Sequence, residues 1–374
     1  MIDALLTDPG AALMALAALG ALAVVVGIAG VVMARVRSRA RRGSSATLEA
    51  SASGEVQPAS APTRAERSAQ PLPATLGRYR IDAELGRGAM GTLYLGHDPR
   101  TQRAVAVKTM ALGREFDATD LAEARTRFFR EAEAAARLRH RDIVDVYEAG
   151  EDRGLAFIAM EYVQGHDLLR HTLPGHLLPV PVVLRTMARV ALALAYAHTQ
   201  GVVHRDVKPA NVMIDPATDT VKVADFGIAR ITDSFRTRTG LVLGTPSFMS
   251  PEQMAGRRVD GRSDLYSLGV MLFQMLTGAL PHRAEGMGEL LRQIAHETAP
   301  DVRTLRPELP EALAHVLTLA LEKRPELRYA DGMQLASDLM ATADRLDPPS
   351  GHESGPTTPG AAGSRVDPRH NAGH

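Results

Sequence analysis

Cysteine and tryptophan are absent from this chain of 374 residues, and neither sign of charge is in excess, with 43 basic and 43 acidic residues. Without cysteine the chain can form neither a disulfide framework nor a thiolate metal site, which is compatible with a reducing compartment. The balanced charge gives no electrostatic reason to expect nucleic acid as a partner. A hydrophobic content of 45% suits one globular domain with appendages.

Charged residues are also missing from residues 11–34. A helix of this length, rising about 1.5 Å per residue, exceeds the roughly 30 Å hydrocarbon core of a bilayer, so the segment is predicted to be a transmembrane helix. Acidic residues precede it and five arginines follow between residues 35 and 42, which places residues 1–10 outside and the rest of the chain in the cytoplasm. A cleaved signal peptide is the alternative, disfavoured because the basic cluster lies behind the apolar run.

Two segments have compositions that cannot support a packed core. Residues 35–76 are first basic and then rich in Ser, Ala and Pro, which predicts a disordered juxtamembrane linker. Residues 348–374 are rich in Gly, Pro and Ser and predict a disordered tail, whose irregularly spaced histidines are not expected to form a metal site.

A glycine-rich loop follows the alternating strand pattern that starts at Tyr79. Gly86, Gly88 and Gly91 would allow a tight turn and leave room for phosphate near backbone N–H groups. A Rossmann dinucleotide loop has the same spacing but opens a helix, whereas residues 92–95 and 104–108 here predict two more strands. Lys108 ends the last of these apolar strands and therefore needs an anionic partner.

A helix is predicted from about residue 119 to residue 138, because apolar residues recur there at helical spacing. It carries two glutamates, Glu131 and Glu133, and either could meet Lys108. Residues 182–198 and 265–276 predict two further apolar helices, with Asp264 as a candidate N-cap of the second.

The chemistry is concentrated in residues 204–211, which read His-Arg-Asp-Val-Lys-Pro-Ala-Asn, and in the Asp-Phe-Gly triplet at residues 225–227. Phosphoryl transfer needs a carboxylate at the attacking hydroxyl, together with an amide and a carboxylate on the metal ions that neutralise the phosphates. Asp206, Asn211 and Asp225 supply these groups in that order. A second His-Arg-Asp triplet at residues 140–142 lacks the following Lys and Asn and is interpreted as structural.

With these motifs the chain resembles the eukaryotic-like (Hanks-type) Ser/Thr protein kinases, and in particular bacterial membrane-anchored kinases, over roughly residues 78–345. The resemblance implies an α+β, two-lobed protein kinase fold. A small, mostly β lobe with one key helix would span residues 77–163, hinge included, and a larger, mostly α lobe residues 164–347.

The resemblance also implies ATP and Mg²⁺, with Mn²⁺ as a possible substitute, as cofactors. It assigns catalytic roles to Asp206, Lys208, Lys108 and Glu131, with Glu131 favoured over Glu133 as the partner of Lys108, and metal binding to Asn211 and Asp225. The residues implied in nucleotide binding are Gly86, Gly88, Gly91, Leu93, Ala106, Lys108, Met160, Glu161, Val163, Asn211 and Asp225.

The same resemblance implies how the domain is regulated and how part of its large lobe is held together. Thr237 and Thr239 align with activation-loop threonines that such kinases autophosphorylate, so another copy of the chain is an expected partner, and Arg205 is placed to pair with the phosphate. Glu252 and Arg328 match the buried ion pair of the family. The resemblance also implies that Asp264 anchors the backbone of the loop at residues 204–211, instead of or in addition to capping its helix.

The sequence therefore predicts a single-pass protein of the cell membrane with a cytoplasmic domain that phosphorylates Ser and Thr of protein substrates. Two alternatives stay open: a catalytically silent binding scaffold with the kinase fold, and a small-molecule phosphotransferase.

Overall fold

The computed structural model describes residues 72–88, 91–115, 118–226 and 246–348. The predicted membrane helix at residues 11–34, almost all of the linker and nearly the whole tail lie outside these residues, so those predictions stay predictions. The described residues adopt the expected α+β, two-lobed architecture, with a β-sheet followed by a mainly helical part.

The small lobe is built on one antiparallel sheet of six strands in the order β1-β2-β3-β4-β6-β5. The sheet curls until its two edges meet, since the Gly77 N–H donates to Asp152 Oδ2 at 3.1 Å. The strands are β1 (Thr75–Leu76), β2 (Tyr79–Gly88), β3 (Gly91–Asp98), β4 (Arg103–Met110), β5 (Val146–Asp152) and β6 (Leu155–Glu161).

The alternation of side chains along β4 decides which of two buried apolar clusters each side chain joins. Val105 and Val107 pack in an outer apolar cluster with Phe157. Ala106 faces the opposite side, in a second cluster that contains Phe128 of the small-lobe helix. Because side chains in a strand alternate, Lys108 shares the side of Ala106.

Helices α1 (Leu112–Glu115) and α2 (Ala118–Ala136) follow β4, and α2 confirms the helix predicted at residues 119–138 to within two residues at each end. Residues 140–144 then run against the large lobe. The Val144 N–H donates to the Val223 carbonyl, and the Val223 N–H donates to the Asp142 carbonyl, each at 2.9 Å. These bonds tie the small lobe to the strand that leads to Asp225.

In the large lobe, α3 (Val180–Thr199) packs against α5 (Gly261–Thr277) and α8 (Gly332–Leu346) around an extended apolar core. A small antiparallel sheet, β7 (His166–Asp167), β8 (Val212–Asp215) and β9 (Thr220–Val223), lies at its cleft side. The helices are α3 (Val180–Thr199), α4 (Pro251–Met254), α5 (Gly261–Thr277), α6 (Met287–His296), α7 (Glu311–Ala320) and α8 (Gly332–Leu346), and short 3₁₀ turns occupy Leu168–Thr172, Pro209–Asn211, Pro246–Phe248, Val302–Thr304 and Pro325–Leu327.

The burial of α3 and the first residue of α5 are not evident from the sequence alone. Within the described residues, α3 is the helix that is long and apolar enough to cross a membrane, but 61% of its apolar window is buried inside the domain, as expected of a core helix. Helix α5 begins earlier than predicted, because Asp260 is its N-cap and accepts the Arg262 N–H at 3.0 Å. Asp264 lies inside the first turn of the helix and is not the cap.

Candidate active site

A cleft of about 570 Å³ lies between the sheet of the small lobe and the catalytic loop of the large lobe. All three predicted glycines line it, Gly86 and Gly88 from β2 and Gly91 from β3, where Gly88 pairs with Gly91. Gly91 is fixed by packing: its φ is +140°, and a Cβ there would lie 1.7 Å from the Thr109 carbonyl oxygen. The strand that follows the turn rules out the helix that a Rossmann loop would open.

The lining of the cleft is largely apolar and comes from side chains of both lobes, as is usual for a small-molecule site. The predicted residues Leu93, Ala106, Met160, Glu161 and Val163 all line it. The Glu161 carboxylate is engaged elsewhere, because it accepts from Lys222 Nζ at 2.7 Å and from the Asp145 N–H at 3.2 Å.

The catalytic loop brings the predicted polar groups together. Lys208 Nζ lies 2.6 Å from Asp206 Oδ2. Asn211 Nδ2 donates to the same carboxylate oxygen at 3.1 Å and to the Asp206 carbonyl at 2.8 Å. The side chain of Asp206 is therefore oriented from two sides at the floor of the cleft.

His204 is the hub of this loop and is buried. Its Nε2 donates to the Ala224 carbonyl at 2.8 Å, and its Nδ1 accepts the Asp206 N–H at 3.2 Å. Its ring also packs on Phe226, with 4.6 Å between the ring centroids. Because Ala224 immediately precedes Asp225, one imidazole fixes the positions of Asp206, the predicted proton acceptor, and Asp225, the predicted metal ligand, relative to each other.

Asp225 lies across the cleft floor from the sheet, with its backbone in the left-handed region at a φ of 64°. Its carboxylate meets Lys108, with 2.6 Å between Nζ and Oδ2. Burial alone would raise the pKa of Asp225, but the charge and hydrogen bond of Lys108, together with the charges of His204 and Lys208, outweigh burial and hold this pKa below its ordinary value. The carboxylate is thus kept ionised, as a metal ligand must be.

The partner of Lys108 differs from the one expected. Among the ion pairs between described residues, Glu131 joins Arg130 at 3.2 Å, whereas Lys108 joins Asp225. Glu131 is still the better candidate of the two glutamates: its side chain is 11% exposed, while Glu133 is 67% exposed and pairs with Arg137. A partly buried ammonium pairs with the carboxylate within reach, and which carboxylate that is depends on the position of α2 above β4.

The donor set suits a hard cation. Mg²⁺ prefers oxygen ligands and is usually held by one or two protein groups together with phosphates and water. Asn211 and Asp225 can supply such oxygens beside Asp206. The described residues contain no group of three or more His, Asp or Glu side chains that would form an all-protein metal cage.

The second His-Arg-Asp triplet forms the same local turn, since the Asp142 N–H donates to His140 Nδ1 at 3.1 Å. Its carboxylate is nevertheless buried, 4% exposed, and bound by the guanidinium of Arg189 on α3. Asp142 does not line the cleft. Its position supports the structural interpretation.

Two buried acids hold parts of the large lobe in place, and one of them, Asp264, anchors the loop at residues 204–211. Asp264 accepts the backbone N–H groups of His204 and Arg205 at 2.8 and 2.7 Å, which is the anchoring role predicted as an alternative to the cap. Glu252 and Arg328 form the expected ion pair, with Nη1 and Nη2 at 2.6 and 2.8 Å from the two carboxylate oxygens.

Some cleft residues were not predicted. Val144 and Met213 also line it, as does Tyr162, which lies between the predicted residues Glu161 and Val163. The period-two pattern of the short strand after Asn211 would have placed Met213 near the cleft, but nothing in the sequence singles out Val144. Thr237 and Thr239 lie outside the described residues.

Comparison with known proteins agrees with this geometry. The family model described as "Protein kinase domain" matches residues 79–340. The chain is 39% identical over 280 residues to the serine/threonine-protein kinase pkn3 of Myxococcus xanthus, covering 71% of this chain and 50% of that protein. It is 40% identical over 267 residues to the serine/threonine-protein kinase PknJ of Mycobacterium tuberculosis, covering 69% of this chain and 44% of that protein.

The chain thus spans about half the length of the curated relatives it matches, or less. Among solved structures, the crystal structure of the Mycobacterium tuberculosis PknI kinase domain superimposes with a TM-score of 0.59 at 34% identity. That comparison covers 72% of this chain and 97% of the other.

Proposed function

The chain belongs to the protein kinase domain family, and on that premise we propose that it transfers the γ-phosphate of ATP to serine and threonine hydroxyls of proteins. The observation that carries the proposal is the convergence of Lys108, Asp206 and Asp225 on one cleft whose lining is otherwise largely apolar. A silent scaffold of this fold has no need for the complete set of charged groups.

Each polar group has a role in this reaction. Asp206 accepts the proton of the attacking hydroxyl and orients it in line with the phosphorus. Lys208 offsets charge on the transferred group, and Lys108 holds the phosphates that precede it. In the complex with Mg-ATP, Asn211 and Asp225 supply oxygen ligands to the metal ion, whose charge offsets that of the phosphates.

Labelled ATP separates the three candidate activities. The full-length chain, incubated with Mg²⁺, γ-labelled ATP and a dephosphorylated protein mixture, should place label on serine and threonine of proteins, and chelation of the metal should abolish transfer. Label confined to small molecules would support the phosphotransferase alternative, and bound but unhydrolysed ATP would support the scaffold.

We further propose that residues 11–34 anchor the chain in the cell membrane with the kinase domain in the cytoplasm. The support is the uncharged run and the arginines that follow it. The full chain should fractionate with membranes and resist extraction by high salt. Protease added outside intact cells should spare the kinase domain, and its digestion would reverse the proposed topology.

Activation by a second copy of the chain completes the proposal. A phosphate on Thr237 or Thr239 adds about −1.5 to −2 charges, which Arg205 of the catalytic loop can bind. Membrane tethering raises the local concentration of neighbouring copies. In a mixture of wild-type and Asp206→Asn protein, label should appear on the inactive partner, and an unlabelled partner beside a labelled wild type would refute transfer between copies.

A further inference from the structure

The backbone at Arg205, directly before the proposed proton acceptor, is held in an unusual conformation. Its φ is 69°, in the left-handed region that a residue with a side chain adopts only at a cost, of order 1–3 kcal/mol where the surroundings impose it. Both backbone polar groups of Arg205 are held by hydrogen bonds. Its N–H donates to Asp264 Oδ1 at 2.7 Å, and its carbonyl accepts from Gln253 Nε2 at 2.8 Å.

Gln253 is itself held in one orientation. It is the third residue of α4, whose N-cap is Ser250, and the two residues form a capping box. Gln253 Oε1 accepts from the N–H and the hydroxyl of Ser250, each at 3.1 Å. With its oxygen committed to the cap, the amide nitrogen has to point at the Arg205 carbonyl.

Helix α4 is in turn anchored to the core of the large lobe. Glu252, the residue before Gln253, accepts from Ser263 Oγ on α5 and binds Arg328. The donor of Gln253 is therefore carried by a fixed support and not by a free loop.

We propose that Gln253 is a positioning residue for the reaction, which holds the peptide between Arg205 and Asp206 so that the Asp206 carboxylate faces the hydroxyl acceptor. The inference rests on the proposed kinase function and adds to it a residue outside the cleft. Without this donor the carbonyl is released, the backbone at Arg205 can relax toward negative φ, and Asp206 turns away from the acceptor. Loss of one such hydrogen bond should lower kcat about tenfold.

Gln253→Glu is the most informative variant, because it keeps an acceptor for the cap of Ser250 but replaces the amide donor by an oxygen. In the full-length chain we expect kcat to fall about tenfold while KM for ATP stays within about twofold, since the nucleotide site is unchanged. Hydrogen exchange of the backbone amides in residues 204–211 should become faster, whether or not turnover is measured.

Two matched variants separate positioning from stability. Ser250→Ala removes the cap but leaves the amide donor, so it should lower the melting temperature and leave kcat within about twofold. Gln253→Lys restores a donor without an acceptor for the cap and should recover most of the lost kcat.

The results can contradict the inference independently of the proposed function. A wild-type chain without phosphoryl transfer refutes the function, and unchanged exchange in residues 204–211 of Gln253→Glu then also refutes the positioning. An active wild type with an equally active Gln253→Glu, or equal losses of kcat in Gln253→Glu and Ser250→Ala, overturns the positioning alone.

Discussion

The ion pair between Glu252 and Arg328 offers the sharpest test of how the large lobe is held together. The Arg328 side chain is 0% exposed and that of Glu252 is 6% exposed. The guanidinium also donates to three carbonyl oxygens, those of Glu322, Arg262 and Lys323, at 2.6, 3.1 and 2.9 Å. It therefore replaces its lost hydration almost completely with protein acceptors.

Arg328→Met keeps much of the volume and removes these bonds, which leaves the Glu252 carboxylate buried with Ser263 as its remaining side-chain donor. Removing one partner of a buried pair typically costs about 3–5 kcal/mol. Glu252→Gln should cost less, about 1–3 kcal/mol, because the three carbonyls still solvate the guanidinium. Because both single variants disrupt the same pair, their losses in free energy of unfolding should not add. We expect the double variant to lose about 1–3 kcal/mol less than the sum of the two single losses.

Urea unfolding followed by circular dichroism measures all three variants against the wild type. Burial raises the pKa of Glu252, but the hydrogen bonds from Arg328 and Ser263 outweigh burial and lower it. The pair should therefore stabilise the fold fully above pH 4.5, the ordinary value, and lose this contribution as the pH falls through the lower folded value. Strictly additive losses, or an Arg328→Met variant as stable as the wild type, would refute the reasoning.

Three further predictions follow from single groups. Lys108→Met should weaken ATP binding and lower kcat/KM at least about a hundredfold, measured by titration and turnover, since the phosphates lose their cation. Burial and the nearby Lys323 ammonium lower the pKa of His282 from 6.5 to about 4, so the neutral imidazole contributes fully to stability above pH 6.5 and this contribution is lost as the pH falls toward 4. Between about pH 7 and 4.5 the free energy of unfolding should fall by about 2 kcal/mol, and His282→Gln should remove this pH dependence in urea unfolding. Thr237→Ala combined with Thr239→Ala should lower activity toward added protein without abolishing ATP binding, as measured by turnover and nucleotide titration.

The sequence was sufficient to predict where α2 and α3 lie and which chemical groups the loop at residues 204–211 carries. Apolar spacing located α2, which buries one face, and α3, which buries most of its surface. The eight-residue motif around Asp206 specifies its own turn through His204. Motif order also separated Asp206 from Asp142, although both triplets form the same local bond.

What the sequence could not supply depends on distances between elements far apart in the chain. Lys108 required an anion, but its choice of Asp225 over Glu131 is decided by how α2 sits above the sheet. Gln253 reads as an ordinary helix residue until the fold brings it to the Arg205 carbonyl. Asp264 looked like a cap because Asp260, the actual cap, lies outside the apolar run that marked the helix.

The most direct test of the central claim compares two aspartates that stand in the same three-letter motif. Asp206→Asn should leave nucleotide affinity largely intact and lower phosphoryl transfer by about 10²- to 10⁴-fold, because the proton acceptor is removed. Asp142→Asn, measured below its unfolding temperature, should keep kcat within about threefold while losing some stability, because its partner Arg189 is structural. Wild-type turnover in the Asp206→Asn protein, or an equal loss of kcat in both variants, would contradict the assignment of the active site.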